Sequence, residues 1–241
     1  MDLSTVQQWF WFGFVGLGAG SLVIVYLMDK LPAKKRFHAL LALLITSIAT
    51  ISYYALARGQ ADITVAGHVV YIGRYLDWVF TTPLLLLSLL VIALPSVKST
   101  AESRERFSLI STVLVADILM IVTGLFADLS TNTVDKEVWY VASCLWFLIV
   151  LYKMFGEVKN LAFSHNHRSA EVYTRLLTFL SVAWVCYPIV WLLGTSGYSV
   201  ISLATETAVY AILDVSAKAV FGILVLVGIS KLHGKETDSS Q

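Results

Sequence analysis

Apolar runs of twenty residues or so, parted by short polar stretches, make up most of this chain. At 1.5 Å of rise per residue, about 20 apolar residues carry a helix across the hydrocarbon core of a bilayer. Seven runs predict spanning helices over roughly 6–29, 36–57, 71–94, 106–127, 137–156, 172–194 and 203–230. The connections are too short for a second domain, so residues 1–241 read as one seven-helix unit. One connection has its own pattern. In "ADITVAGHVV", between the second and third helices, residues alternate as in a small strand pair, with Gly67 suited to the turn. The first helix follows five residues with no basic leader or small-residue cleavage site, and reads as a retained helix rather than a signal peptide. The end, "KLHGKETDSSQ", reads as a short polar tail.

Composition turns the pattern into a class. The chain is 58% hydrophobic and only 14% charged, whereas an ordinary soluble domain is about 25% charged. With a mean hydropathy of +0.78 it reads as an all-α integral membrane protein. Basic residues orient it. Lys30, Lys34, Lys35 and Arg36 follow the first helix, and Lys98, Arg104 and Arg106 follow the third. Lys153, Lys159, Arg168 and Arg175 bracket the connection from the fifth to the sixth, and Lys231 and Lys235 follow the seventh. The opposite loops hold only Arg58 and Lys136. Excess Lys and Arg mark the cytoplasmic side, which puts the N-terminus outside and the C-terminus in the cytoplasm. Cys144 and Cys186 fall at membrane depth and form neither a disulfide framework nor a metal spacing. A net charge of +1 gives no reason to expect nucleic acid.

Few ionisable groups remain once loops and helix ends are set aside: Arg74, Asp77, Asp117, Asp214 and Lys218, with Glu206 near the outer end of the seventh helix. A charge at the bilayer centre costs about 2.5–3.5 kcal/mol, so such groups pair, face the bundle interior and mark function. In "AILDVSAKAVFGILVLVGI", Asp214 and Lys218 share one helix face at i,i+4. Taken alone they read as a structural ion pair as readily as a site. The third helix, "GRYLDWVFTTPLLLLSLL", changes that balance. Steps of three, four and seven from Arg74 to Asp77, Thr81 and Ser88 lay one polar stripe along an apolar helix. Ser88 falls about 16 Å from Asp77 along the axis. Proton-capable groups aligned with the membrane normal read as a transfer path. Pro83 removes one backbone hydrogen bond, which Thr82 or a neighbouring helix can replace.

Aromatic residues add a second pattern: Tyr75 and Trp78 on the third helix, Tyr140 on the fifth, and Trp184, Tyr187 and Trp191 on the sixth. The last three, in "WVCYPIVW" beside Pro188, follow i, i+3, i+7 and share a face. An interfacial belt is the ordinary place for membrane tryptophan. Trp78 and Trp184 fall nearer the middle of their helices, which argues instead for the walls of an elongated apolar pocket able to hold a conjugated ligand.

Together these residues resemble the microbial (type 1) rhodopsins, seven-helix proteins that bind retinal as a protonated Schiff base. "RYLDWVFTTPLLLL" resembles the family's third-helix signature, "WVCYPIVWLLG" its sixth and "LDVSAKAVFG" its seventh, in order and across nearly the whole chain. The resemblance implies all-trans retinal bound covalently to Lys218, with Asp77 and Asp214 as a double counterion and Arg74 beneath them. It implies that light sends the proton to Asp77, that Arg74 swings outward, and that Glu206 serves release rather than standing as a plain interfacial carboxylate. Thr81 would hold Asp77, while Tyr53 and Tyr187 would bond the counterion region. Tyr75, Trp78, Trp184, Tyr187 and Trp191 would enclose the polyene. Met120, Gly124, Ser143 and Phe147 would lie near its ring. Leu85 and Ala217, apolar at positions that tune colour in the family, imply green or yellow absorption. Thr82, also against the polyene, would bond a protonated Asp117 and link the third and fourth helices. Tyr140 stands where antenna-binding members carry glycine, which argues against a carotenoid partner. The family implies a trimer or pentamer surrounded by lipid, here in a bacterial cell membrane.

Two positions depart from the efficient pumps. Ser88 replaces a carboxylic proton donor, so reprotonation from the cytoplasm should be slow or water-mediated. His38 could assist, although it reads more simply as an interfacial histidine. Ser196 replaces a second release-group carboxylate, which puts early release in doubt. The combination Asp77, Thr81, Ser88 resembles cyanobacterial and other bacterial rhodopsins, photosensors and inward pumps among them, and those sensors and inward pumps commonly lack the seventh-helix aspartate. This chain has Asp214 and Glu206. A chloride pump would need a neutral residue at Asp77, the sodium-pump signature is absent, and "LLALLITSIATIS" is too apolar for a channel. The expectation is therefore a transporter rather than an enzyme: a light-driven outward proton pump. The alternatives are a photosensor signalling to a transducer and, third, an inward pump.

Overall fold

A computed structural model describes residues 3–65, 67–94 and 99–238. Their helices are α1 (Leu3–Asp29), α2 (Arg36–Ala57, entered through a 3₁₀ turn at Ala33–Lys35), α3 (Ile72–Ala93) and α4 (Thr100–Leu129). α5 is Thr133–Lys153, continued through a π turn at Met154–Val158 into Lys159–His165, and α6 is His167–Leu193. α7 is Leu203–Asp214, a π turn at Val215–Val220 and Phe221–Asp238. All seven are long and apolar enough to cross a membrane. The expected hairpin is present: β1 (Ile63–Val65) pairs antiparallel with β2 (His68–Val70). Gly67 makes its turn at φ +87°, a conformation that glycine adopts without a Cβ clash.

Helix ends differ from the predicted ones where polar residues extend a helix beyond its apolar run. α4 starts at Thr100 rather than 106, and α5 and α6 leave only Asn166 between them, so Lys159 is helical rather than in a loop. Capping explains the boundaries. Ser99 Oγ accepts from Glu102 N–H, and Asn166 Oδ1 accepts from Arg168 and Ser169 N–H. Asn132 and Ser202 cap α5 and α7 in the same way. Each cap satisfies a first-turn donor that has no partner inside the helix. The predicted polar tail is helical as far as Asp238. Lys98, counted above among the cytoplasmic cations, lies outside the described residues.

The distribution of polarity suits lipid rather than water. Leu22, Ile51, Phe107, Tyr152 and Val182 are each more than 60% exposed, while Arg74, Asp77, Asp117, Glu206, Asp214 and Lys218 are 5% exposed or less. A water-soluble fold reverses this arrangement. The bundle's two ends differ: the hairpin closes one, and Lys34, Lys35 and Arg36 stand at the other. At the basic end Lys35 Nζ donates to the carbonyl of Ile229 on α7, 2.7 Å away.

Candidate functional site

The site lies where α3 and α7 meet in the core. Lys218 falls within the π turn of α7, where the wider turn breaks the regular backbone ladder; such bulges recur at functional positions. Its Nζ donates to Asp77 Oδ2 on α3 at 2.5 Å and to Asp214 Oδ1 one turn back at 2.9 Å. Lys218, Asp77 and Asp214 are all at most 2% exposed. One cation between two carboxylates is a buried network in which no charge stands alone, which is the condition for tolerating ions in a low dielectric.

The two carboxylates are held differently. Asp214 accepts from Tyr53 OH at 2.7 Å, Tyr187 OH at 2.7 Å and Trp78 Nε1 at 3.2 Å, besides the lysine. Among the described residues Asp77 has only Thr81 Oγ1, at 3.2 Å, besides the lysine. Asp214 is thus anchored from α2, α3 and α6 at once, and Asp77 from its own helix. Tyr53 keeps its position because Gly13 on α1 leaves room for it, and a Cβ there would overlap the ring. Gly13→Ala is therefore expected to displace Tyr53 and lower stability by about 1–3 kcal/mol, as overpacking does. Thermal unfolding would measure it, and an unchanged melting temperature would show that the ring moves aside freely.

Below this centre, toward the hairpin end, Arg74 donates to Glu206 Oε1 at 3.3 Å and to Thr207 Oγ1 at 2.9 Å. Its guanidinium also lies 4.7 Å from the rings of Tyr71 and Tyr210. Burial raises the Tyr71 phenol above its ordinary pKa, so it faces Arg74 as a neutral ring. Glu206 Oε2 accepts from the N–H and Oγ1 of Thr195, at 2.8 and 2.9 Å. In the other direction along α3, Ser88 is 2% exposed, and Leu85, Leu86, Leu89 and Leu90 of the same stretch are buried. His38 is half-buried on α2, and its Nδ1 has no hydrogen-bond partner among the described residues.

Beside Lys218 a cavity of about 810 Å³ opens between the helices. Every residue named above as a neighbour of the polyene borders it: Tyr75, Trp78, Thr82 and Leu85 from α3, and Met120 and Gly124 from α4. Ser143 and Phe147 border it from α5, Trp184, Tyr187 and Trp191 from α6, and Ala217 and Lys218 from α7. Ser143 Oγ donates to the carbonyl of Met120, tying α5 to α4 along this wall. Thr82 Oγ1 donates to Asp117 Oδ2 at 2.8 Å, tying α3 to α4. An apolar, aromatic chamber with one amine and the carboxylate of Asp214 at the wall fits a long conjugated aldehyde such as retinal.

Some residues here escaped sequence reading. Tyr210 borders the cavity and packs against Trp78 and Tyr187, with ring centroids 5.5 and 5.7 Å away. Asp128, 4% exposed, accepts from Tyr75 OH at 3.1 Å. A signal for Asp128 did exist. It stands eleven residues after Asp117, close to three helical turns, so the two share a face of α4. Tyr210 had no such marker, being one aromatic residue among many near a helix start.

The family model "Bacteriorhodopsin-like protein" matches residues 4–232. The bacteriorhodopsin of Haloterrigena sp. (strain arg-4) is 33% identical over 239 residues, which cover 96% of this chain and 91% of that protein. The thermophilic rhodopsin from Rubrobacter xylanophilus superposes with a TM-score of 0.87 at 35% identity, covering 92% of this chain and 95% of that one. The light-driven proton pump rhodopsin of Coccomyxa subellipsoidea superposes with a TM-score of 0.82 at 33% identity, covering 92% and 96%.

Proposed function

Because this chain belongs to the bacteriorhodopsin-like proteins, the microbial (type 1) rhodopsins, we propose that it is a light-driven outward proton pump with Asp77 as proton acceptor. The observation that carries the reading is the position of Lys218 Nζ at the wall of the aromatic cavity, between Asp77 and Asp214. Retinal, joined to that nitrogen as a protonated Schiff base, would supply the light-driven turn of the N–H. Solved neighbours described as proton pumps, including that of Coccomyxa subellipsoidea, support the same class.

The residues divide the work by their hydrogen bonds. Asp214 keeps three donors whether or not the lysine proton faces it, so it stays in place as a fixed charge. Asp77 loses its strongest partner when that proton turns, and it is the carboxylate with a free place to receive it. Once Asp77 is neutral, the guanidinium of Arg74, already paired with Glu206, has less reason to face the centre and moves outward toward the hairpin end. The excess of Lys and Arg at the opposite end puts the hairpin end outside, so this displacement drives the proton outward. Recovery is slow in this reading. Ser88 cannot give up a proton at accessible pH, and buried leucines surround its stretch of α3. Tyr140, which stacks on Trp191 with ring centroids 4.8 Å apart, stands where antenna-binding members carry glycine and so supports a reading without a carotenoid partner.

The test is the pH of an unbuffered suspension of retinal-fed cells under green light. Reversible acidification, abolished by a protonophore, is expected. Alkalinisation abolished by the protonophore would mean an inward pump. Coloured cells with no pH change would mean a photosensor, the reading that Ser88 favours.

A further inference from the structure

A second, smaller cavity of about 260 Å³ lies on the hairpin side of the site, and Arg74, Asp128, Ser196, Glu206 and Tyr210 are among its walls. It abuts the first cavity, since Tyr75, Trp78, Trp191 and Tyr210 border both. Two buried carboxylates thus share one polar chamber with Arg74. Glu206 is the one already paired with the guanidinium. Asp128 has other partners, and they form a chain. Trp191 Nε1 donates to Tyr75 OH at 3.2 Å, and Tyr75 OH donates to Asp128 Oδ2 at 3.1 Å. Asp128 Oδ1 then meets Nε2 of His68, on β2, at 3.2 Å.

His68 is the point at which this chain reaches solvent. Its side chain is 21% exposed, against 6% for Asp128. Its other ring nitrogen, Nδ1, lies 3.1 Å from the carbonyl of Val65, which can only accept. A ring with acceptors at both nitrogens is satisfied when doubly protonated, or when Asp128 itself carries the second proton. Either way the pair stores one exchangeable proton. Asp128 raises the His68 pKa, first through the hydrogen bond, so the ring stays charged to a higher pH than free imidazole; Lys136 opposes this from α5.

We propose that Asp128 and His68 form the outer proton-release pair of this protein, supplying the second acidic group that Ser196 leaves out. The inference rests on the outward-pump reading. The guanidinium of Arg74, driven outward when Asp77 becomes neutral, approaches Asp128 across the shared cavity and takes over the neutralisation of its carboxylate. The imidazolium of His68 then loses its partner's stabilisation and gives its proton to bulk water, becoming neutral imidazole. When Asp77 later gives up its proton, Arg74 returns, and that proton restores the imidazolium. One proton leaves and one replaces it in each turn. Glu206 remains bonded to Thr195 throughout and positions Arg74 at the start.

The test uses the retinal-loaded protein in lipid nanodiscs, with a pH-indicator dye following the proton transient after a flash. Wild type is compared with His68→Gln, which keeps a neutral hydrogen-bonding group, and with Asp128→Asn. Both variants are expected to delay release by about a hundredfold, the low end of what a positioned proton carrier contributes. They should also lose the dependence of release timing on pH near the His68 titration. A dark titration of the His68 ring by ¹⁵N NMR gives an independent reading. Its pKa should lie above the ordinary imidazole value in wild type and fall in Asp128→Asn. Wild-type release timing in both variants would overturn the pair. So would an Asp128→Asn protein whose only change is a shifted visible band, because that is the mark of a packing role through Tyr75. A wild-type protein without any transient sinks the pump reading itself, which separates the two failures.

Discussion

Lys218→Ala is expected to yield a colourless protein after retinal is added, with no band in the visible range. Lys218 is the amine at the wall of the aromatic cavity, and it is the nitrogen that Asp77 and Asp214 together neutralise. Removing it takes away the point of attachment and leaves two buried carboxylates facing each other without a cation. Breaking a buried pair on one side costs about 3–5 kcal/mol, so the variant should also unfold at lower temperature. Circular dichroism distinguishes the two effects. Helical content should persist, because the lipid-facing surfaces of the seven helices do not depend on Lys218. A variant that is helical and still coloured would refute covalent attachment at this residue.

Asp77→Asn is expected to keep the colour, shift it to the red and stop transport. The amide preserves the shape beside Lys218 Nζ and removes half of the counter-charge there. With less negative charge near the nitrogen, positive charge spreads more freely along a conjugated ligand, and the excitation energy falls. Transport should drop at least about a hundredfold, the lower end of what a positioned proton acceptor contributes. The measurements are the visible spectrum and the light-induced acidification of the same membranes. Continued pumping by Asp77→Asn would remove Asp77 as the acceptor and turn attention to Asp214. The hydrogen bonds argue against that outcome, since Asp214 already has three donors besides the lysine and Asp77 has one.

Much of this site could be read along single helices. Asp214 and Lys218 are one turn apart, and the spacing from Arg74 to Ser88 lays a stripe that is buried from end to end. Helix periodicity made these relations visible, because a lipid-facing position rejects charge and an inward one does not. Relations between helices were less legible. Asp77 and Lys218 are 141 residues apart, and the separate anchoring of Asp214 by Tyr53, Trp78 and Tyr187 draws on three other helices. The resemblance to a known family named Tyr53 and Tyr187 as partners but gave Trp78 only as a wall of the polyene, and residue spacing could not count their bonds. The pairing of His68 with Asp128 had no reading at all, since it depends on how the hairpin folds over the end of α4.

The sequence by itself determined that the chain is a seven-helix membrane protein, which residues its interior must hold, and which end of the bundle is basic. Those are consequences of solvent: hydrocarbon demands long apolar helices and turns every charge inward. The tertiary structure alone decided which inward groups touch. It made Asp77 the loosely held carboxylate and Asp214 the fixed one, and it joined Glu206, Arg74 and Asp128 around one chamber. Contacts of that kind depend on the rotation and tilt of each helix, which are set by packing against its neighbours and leave no periodic trace in the chain.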